Sequence, residues 1–195
     1  MSRPTLPPDE ATAELRARAR EELAQADSPA VDPVLRTRYR DLVDSGPAAV
    51  DRRLGGVHLT ASAHVVDAAG CHVALVWHRK GGFWVQPGGH LDPVDASLED
   101  AARREVAEEL GLRDLQRVGA GPAMLHVHGL GAAFGSCAEH WDVQFLLRAP
   151  GEQPPLHPSA ETPEVRWVPC DALPEGTVPD LRPTLAALAP LLLPG

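Results

Sequence analysis

The sequence predicts a mixed α/β fold of the α+β kind, with a helical extension at its N-terminus. Residues 9–28 are rich in Ala, Glu, Arg and Leu, which favour helices. From His58 onward, short runs alternate polar with small or apolar residues, as half-buried strands do. A capped helical segment, residues 97–110, lies between those runs. Strands interleaved with helices are typical of the mixed class.

The first 50 residues are predicted to form the helical extension, ahead of a main domain over residues 51–195. After the first helix, Leu35, Tyr39 and Leu42 occur at positions i, i+4 and i+7, which places them on one face of a second helix. Residues 45–56, SGPAAVDRRLGG, are typical of a linker. Two roles stay open for these helices, namely capping the sheet or forming a homodimer interface.

The main domain is predicted to begin with a β-hairpin, in which DAAG forms the turn between HLTASAHVV and CHVALVWH. The segment FWVQ resumes the strand pattern, and PGG ends it. In the following helix, Ser97 caps the N-terminus and Gly111 occupies the C′ position. Further strands are predicted in PAMLHVH, HWDVQFLLRA and EVRWVP, and terminal helical pieces in DALPEG and PTLAALAPLLL, the last interrupted by Pro190.

The composition excludes several classes of protein. The net charge of −9, from 27 acidic and 18 basic residues, disfavours binding to nucleic acids. No run approaches the roughly 18 apolar residues of a membrane helix, so no membrane association is expected. The N-terminus lacks the apolar core of a secretory signal, so we expect a cytoplasmic protein. Cys71, Cys137 and Cys170 are odd in number and lack a CxxC pair, which argues against disulfides and a zinc site and favours reduced, mostly buried thiols.

Three glutamates, Glu105, Glu108 and Glu109, fall at i, i+3 and i+4 and therefore share one helix face. Like charges at this spacing destabilise a helix by a few tenths of a kcal/mol per pair, roughly. A bound Mg²⁺ or Mn²⁺ ion would remove that repulsion, since both ions prefer oxygen ligands. The glycines at 88–89 allow a main-chain carbonyl to join the ligands. Taken alone, such a run is more often a solvated acidic face.

The segment GGHLDPVDASLEDAARREVAEELGL, residues 88–112, resembles the signature box of the Nudix hydrolases. That box is G-x5-E-x7-R-E-U-x-E-E-x-G-U, where U is a bulky aliphatic residue, and residues 104–112 match its second half at every defined position. The flanking segments FWVQPGG and EVRWVPCDALPEG also resemble the family, so the resemblance covers about residues 57–180. It implies the Nudix fold, a mixed β-sheet sandwiched between helices. It also implies an Mg²⁺- or Mn²⁺-dependent pyrophosphohydrolase that cleaves a nucleoside diphosphate linked to another group X.

The same resemblance implies a set of site residues. Glu105 and Glu109 would be the principal metal ligands, Glu108 would assist, and Gly89 would contribute its backbone oxygen. Arg104 would fix the geometry of the carboxylates, and the partner would be a small nucleotide or diphosphate substrate.

The sequence departs from the box at its first glutamate. Counted back from Arg104, that glutamate falls on Ala96, whereas counted forward from Gly89 it falls on Asp95. The box therefore carries one extra residue and a shorter acid. In the family this glutamate supports the arginine of the R-E pair, so the question is whether Asp95 reaches Arg104.

The general base has several candidates. Glu105 is one, and some Nudix enzymes use a glutamate outside the box, for which Glu139 is the leading candidate, followed by Glu161 and Glu164. Arg-Lys at 79–80 is a candidate phosphate contact and is equally typical of a turn.

A second group of residues could form another site. His126 and His128 alternate on one predicted strand, and His140 and Asp142 alternate on the next. In an antiparallel pair each couple would share a face and could bind phosphate or a transition metal. The alternative is a set of separate, half-buried histidines, because the sequence does not fix the register.

Two rival functions stay open beside the hydrolase. One is a non-catalytic nucleotide or phosphate sensor with the same fold. The other is a prenyl-diphosphate isomerase, which would need Cys71 or Cys137 near the pocket. The substrate is not specified further: the only tyrosine, Tyr39, precedes the box, and no proline lies about fifteen residues beyond Leu112.

Overall fold

The structure is a computed structural model that describes residues 7–129, 137–160 and 162–192. Helices α1 to α4 cover Pro8–Ala24, Pro33–Ser45, Leu98–Leu110 and Leu181–Leu192. Strands β1 to β8 cover Val57–Val66, His72–His78, Phe83–Val85, Gly88–His90, Gln116–Arg117, Met124–Gly129, Glu139–Arg148 and Val165–Pro169. Within these ranges no helix combines the length and apolar character that crossing a membrane requires.

The strands form one mixed sheet built around β1. β1 pairs in parallel with β7 and antiparallel with β2 and β4. β5 and β6 extend the sheet beyond β7, and β3 and β8 extend it beyond β2. The parallel β1–β7 ladder is the longest pairing, and it places His58 opposite His140.

The first face of the sheet is apolar and is covered by the three N-terminal helices. Leu59 and Ala61 of β1 and Phe145 of β7 belong to one buried cluster with residues of α1, α2 and α3. From α2, the buried Tyr39 hydroxyl lies 2.9 Å and 3.0 Å from the carbonyl oxygens of His126 and Asp142, to which it can donate. The helical extension thus packs directly on the sheet, and its division from a domain over residues 51–195 stays a prediction.

The second face is divided into an apolar half and a polar half. Helix α4 covers the apolar half, where Val66, Leu75 and Leu146 pack against Leu181 and Leu188. The polar half carries alternate residues of β1 and β7, because neighbouring side chains on a strand point to opposite faces. These residues are His58, Thr60, Ser62, His64, His140, Asp142 and Gln144. The expected fold, a mixed sheet between helices, is confirmed.

Three local predictions are wrong. PGG does not end the strand pattern, because Gly88–His90 forms β4 and pairs with β1. DALPEG forms turns rather than a helix, since Pro174 lacks a backbone donor and Gly176 adopts φ +77°. Helix α4 is not interrupted by Pro190. A proline this close to the C-terminus removes a single intrahelical hydrogen bond.

Candidate active site

Helix α3 carries the glutamates, and its ends are fixed as the sequence predicts. The side chain of Ser97 accepts a hydrogen bond from the amide of Asp100 at 3.1 Å. At the other end Gly111 adopts the left-handed conformation with φ 73°, which a glycine reaches without a steric penalty.

A residue of the N-terminal extension completes this cap. The carboxylate of Glu22 in α1 accepts hydrogen bonds from the amides of Leu98 (2.7 Å) and Glu99 (3.0 Å). These are the first two amides of α3, which have no partner inside the helix. Burial raises the pKa of Glu22, and the two amide hydrogen bonds oppose the shift. The extension therefore takes part in holding the site helix.

Arg104 forms hydrogen bonds with several polar groups next to the glutamates of α3. Its guanidinium donates two hydrogen bonds to Asp95, at 2.8 Å and 3.0 Å, and one to the carbonyl oxygen of His90 at 3.0 Å. It also donates to Glu105 at 2.9 Å and to Glu108 at 3.3 Å. The hydrogen bonds with Asp95 are the main cause of a raised pKa for Arg104. Asp95 therefore does reach the arginine of the box.

The loop before α3 explains how Asp95 is placed. The amide of Asp92 donates to the Asp95 carboxylate at 2.7 Å, and the amide of Asp95 donates to the Asp92 carbonyl at 2.9 Å. The Asp95 side chain is only 2% exposed. The neighbouring Ala96 uses its backbone amide to bind Asp100 at 2.9 Å. The count forward from Gly89, which gives Asp95, therefore identifies the residue that contacts Arg104. The count back from Arg104, which gives Ala96, does not.

Two of the glutamates meet the double glycine of β4. The amide of Gly88 donates to Glu109 at 3.0 Å. A Cβ atom on Gly89 would lie 2.6 Å from Oε1 of Glu105, closer than real Cβ contacts, so a side chain at this position would displace the Glu105 carboxylate. Burial raises the pKa of Glu105, and the hydrogen bond from Arg104 opposes the shift. Carboxylates packed against bare backbone form a donor set that suits a hard divalent cation.

These residues line a cavity of about 760 Å³. Its lining includes the five residues of the box that were predicted to form the site, namely Gly89, Arg104, Glu105, Glu108 and Glu109. Its lining also includes the basic residues Arg52, Arg53, Arg79 and Lys80. Arg79 and Lys80 are the pair that the sequence suggested as phosphate contacts. The cavity therefore combines an acidic cluster with basic side chains.

Two of the glutamates considered as an external base, Glu139 and Glu164, are not among the described residues that line this cavity. Glu139 lies at the start of β7, where its carboxylate accepts a hydrogen bond from Nε1 of Trp141 at 3.0 Å. Glu164 is exposed, and its carbonyl oxygen accepts a hydrogen bond from the Trp77 amide. Glu161 lies outside the described residues.

The second group of sequence-predicted residues does share one face of an antiparallel pair. The register of β6 and β7 places His126 opposite Asp142 and His128 opposite His140. The rings of His126 and His128 are 5.6 Å apart, and those of His128 and His140 are 5.4 Å apart. The four residues are neighbours, yet their polar atoms do not all converge on one point.

Two members of that group, Asp142 and His126, contact residues outside it. The Asp142 carboxylate accepts hydrogen bonds from the hydroxyl groups of Thr60 (3.0 Å) and Ser62 (2.6 Å). Nε2 of His126 lies 3.4 Å from the Asp180 carboxylate. Asp142 therefore supports the buried polar face of the sheet, and His126 faces the start of α4.

A different set of ligand-type atoms does converge, and sequence reasoning missed most of it. His58, His90, Cys137 and His140 offer donor atoms that all lie within 4.8 Å of one another, and we call this set the His–Cys cluster. Burial is the largest cause of a pKa of about 4 for His90 and about 3 for His140. The alternation of His58 with Thr60 along β1 was the sequence signal for a polar face.

The cysteines also differ from expectation. Cys71 is exposed, and Cys137 and Cys170 are only half-buried, so the prediction of mostly buried thiols is wrong. Cys71 lies in the turn between β1 and β2, where chain reversal leaves its side chain at the surface. Sγ of Cys137 lies 3.8 Å from Nε2 of His90.

Comparisons with known proteins bear on the family and the fold of the chain. The model of the NUDIX domain family matches residues 57–188, which is more than half of the chain. The structure is similar to a NUDIX-family hydrolase from Clostridium perfringens, with 20% identity, a TM-score of 0.57, and coverage of 69% of this chain and 97% of that chain. No curated protein matches the chain.

Two further solved structures are similar. For an E. coli dihydroneopterin triphosphate pyrophosphohydrolase the identity is 16% and the TM-score 0.54, over 65% of this chain and 91% of that one. For a C. elegans Ap4A hydrolase the identity is 19% and the TM-score 0.53, over 69% and 96% respectively. At these identities the similarities establish the fold.

Proposed function

The chain belongs to the Nudix family, and from that premise we propose that it is an Mg²⁺- or Mn²⁺-dependent pyrophosphohydrolase. Its substrate would be a nucleoside diphosphate linked to another group X, or a related nucleotide. We further propose that it acts in the cytoplasm and without a nucleic-acid or membrane partner.

The observation that carries this proposal is the lining of the cavity. Glu105 and Glu109 meet the backbone of β4 there, and the basic side chains of residues 52–53 and 79–80 line the same space. A diphosphate needs both groups, because its oxygens bind a divalent cation and basic side chains at the same time. If the glutamates were only a solvated acidic helix face, their position in one cavity with basic side chains would have no explanation.

The residues fit the metal that the family uses. The Glu105 carboxylate lies so close to Gly89 that any side chain at that glycine would displace it. Glu105 and Glu109 would be the principal ligands, with the Gly89 carbonyl oxygen and the more exposed Glu108 as the others. Bound there, the metal would neutralise charge on the phosphoryl oxygens and acidify the attacking water.

The protein side chains have separate roles in this proposal. Arg104, held by Asp95, orients the carboxylate of Glu105. The basic residues of the cavity bind the phosphates and hold the bond that breaks near the carboxylates. Glu105 is the candidate base that lies in the cavity, whereas the role of Glu139 stays a prediction.

The test is a panel of nucleoside-diphosphate derivatives incubated with Mg²⁺ or Mn²⁺ in ¹⁸O-labelled water. Mass spectrometry of the products shows which bond breaks and which phosphorus receives the label. We expect turnover that Glu109→Gln lowers by at least about a hundredfold, because removing one preorganised electrostatic contact to a transition state costs about 10²–10³ in kcat. The matched control is Glu175→Gln, an exposed residue away from the cavity lining, which should retain activity.

The same panel, with a prenyl diphosphate added to it, separates the rival functions. Ligand-induced thermal shifts without any product would support the sensor and refute the hydrolase. A prenyl diphosphate recovered with a shifted double bond and an intact diphosphate would support the isomerase. Full activity in Glu109→Gln would contradict the assignment of the metal ligands.

A further inference from the structure

The His–Cys cluster lies on the side of β4 opposite to the box glutamates. A Cβ atom on Gly89 would point toward Glu105. The ring of the next residue, His90, points toward His58 and His140. Successive residues of a strand point to opposite faces, so the two groups are separated by the backbone of β4. The cluster is therefore distinct from the proposed Mg²⁺ ligands.

Regular strands hold the four residues in place. His58 and His140 are direct neighbours in the parallel β1–β7 ladder, and His90 belongs to β4 on the other side of β1. Cys137 precedes β7 by two residues, and the following amide, that of Ala138, donates to the carbonyl of Gly56 at 2.7 Å. The cluster is thus assembled by sheet pairing.

One nitrogen in the cluster is buried and has no hydrogen-bond partner in the part of the chain that the structure describes. His58 is 1% exposed, and its Nδ1 lies 3.2 Å from the carbonyl oxygen of Gly55, to which it can donate. This leaves Nε2 with a lone pair, and among the described residues that atom has no partner. Metal-bound histidines typically have this arrangement, with the second ring nitrogen donating to a backbone carbonyl. An orphaned buried nitrogen is otherwise unfavourable.

We propose that His58, His90, Cys137 and His140 form a second metal site that binds a zinc-like transition-metal ion. Three imidazoles and one thiolate are the ligand types that such ions select over Mg²⁺. The cysteine spacing argues against a zinc site held by cysteine pairs, whereas this cluster uses one cysteine and three histidines. The Cys137 thiol would lose its proton on binding, because the thiolate is the ligand. This inference goes beyond the proposed function and does not depend on it.

Two of the ligand separations are close to those of a tetrahedral site, and the largest is not. Zn–N bonds of about 2.0–2.1 Å and Zn–S bonds of about 2.3 Å imply ligand separations of about 3.3 Å between nitrogens and 3.6 Å between nitrogen and sulfur. The Nε2 atoms of His90 and His140 are 3.1 Å apart, and Sγ of Cys137 is 3.8 Å from Nε2 of His90. The largest separation, 4.8 Å, has to shorten by about 1.5 Å on binding, relative to the nitrogen–nitrogen value.

One contact has to change for the metal to bind. Arg52 lies 3.1 Å from Nδ1 of His90, and as a permanent donor it directs the ring proton to Nε2. Binding through Nε2 moves that proton to Nδ1 and releases Arg52. Arg52 is exposed, so water can replace this contact.

Cobalt is the probe for the test, because a Co²⁺–thiolate bond gives a near-ultraviolet charge-transfer band and tetrahedral Co²⁺ gives strong visible bands. The full chain, stripped with a chelator and kept reduced, is titrated with Co²⁺. We expect both sets of bands to saturate at one ion per chain and to disappear when Zn²⁺ is added.

Variants assign the bands to the cluster. Cys137→Ser should abolish the charge-transfer band, and His140→Asn should weaken Co²⁺ binding at least tenfold. The matched controls Cys170→Ser and His126→Gln should retain wild-type spectra, and circular dichroism checks that each variant folds. Glu109→Gln should also retain the bands, which separates this site from the box.

Three results would overturn the proposal. The first is a folded wild-type chain that shows no charge-transfer band at saturating Co²⁺. The second is a band that survives Cys137→Ser. The third is a band lost in Glu109→Gln, which would place the bound ion at the box.

Discussion

The contact between Glu22 and the first turn of α3 gives a sharp prediction, because it links the N-terminal extension to the site helix. The substitution is Glu22→Ala. It removes the acceptor for the Leu98 amide, which belongs to a fully buried residue, and for the amide of Glu99. The stability of this variant therefore tests whether the N-terminal extension stabilises helix α3.

The magnitude follows from the two hydrogen bonds and their environment. An unsatisfied buried amide costs about 1–3 kcal/mol. The raised pKa of Glu22 indicates that burial of its charge offsets part of the gain, so the lower part of the range applies. We expect Glu22→Ala to lower the free energy of unfolding by about 2 kcal/mol, from two amides at about 1 kcal/mol each. For a chain of this length that corresponds to a Tm lower by about 4–8 °C.

The assay is urea unfolding followed by circular dichroism, together with thermal melts. Glu21→Ala is the matched control, since the Glu21 side chain is 61% exposed and pairs with Arg18 on the same helix. Its effect should stay below about 0.5 kcal/mol. Hydrolysis at 15 °C should be nearly unchanged in both variants, because Arg104 and Glu105 lie well past the first turn of α3. Equal losses in the two variants, or a Glu22→Ala melt within 1 °C of wild type, would refute the reasoning.

Three further predictions concern the site and the sheet. Asp95→Asn removes the charge partner of Arg104 and should lower kcat/KM at least tenfold, or about 1.4 kcal/mol; steady-state kinetics that match the wild type would contradict this role. Gly89→Ala should raise the Mg²⁺ concentration needed for half-maximal activity, because its Cβ would collide with the facing carboxylate, whereas Gly151→Ala, with open space around its Cβ, should behave as wild type. His64 is fully buried and burial lowers its pKa, so the unfolded chain binds a proton below pH 6.5 that the folded chain does not. Stability should therefore fall as the pH drops below 6.5, and His64→Gln should reduce that slope by up to about 1.4 kcal/mol per pH unit in urea titrations.

The parts of the fold that the sequence predicts well are those with local signals. Helix α3 follows from the cap at Ser97, the glycine at 111 and the periodicity between them. The five box residues meet in one cavity because four of them lie on that helix and the fifth, Gly89, lies on the strand beside it. Spacing along one helix fixes most of this geometry.

The parts that the sequence does not predict depend on pairing between distant strands. Gly88–His90 is a strand only because β1 supplies its hydrogen-bond partners, and two glycines alone favour a turn. His58 and His140 are far apart in the chain, and a parallel ladder makes them neighbours. Register is set by tertiary packing, so a cluster of this kind is visible only in the folded chain.

The altered box shows how a local departure can preserve a contact. An aspartate is one methylene shorter than a glutamate, and the extra residue in the box lengthens the loop before α3. That loop folds back on itself through two hydrogen bonds between Asp92 and Asp95, which bring the shorter carboxylate to Arg104. The resulting pair is bidentate, at 2.8 Å and 3.0 Å. The shorter carboxylate therefore keeps a bidentate contact with Arg104 in this loop, and the arginine also donates to Glu105 at 2.9 Å.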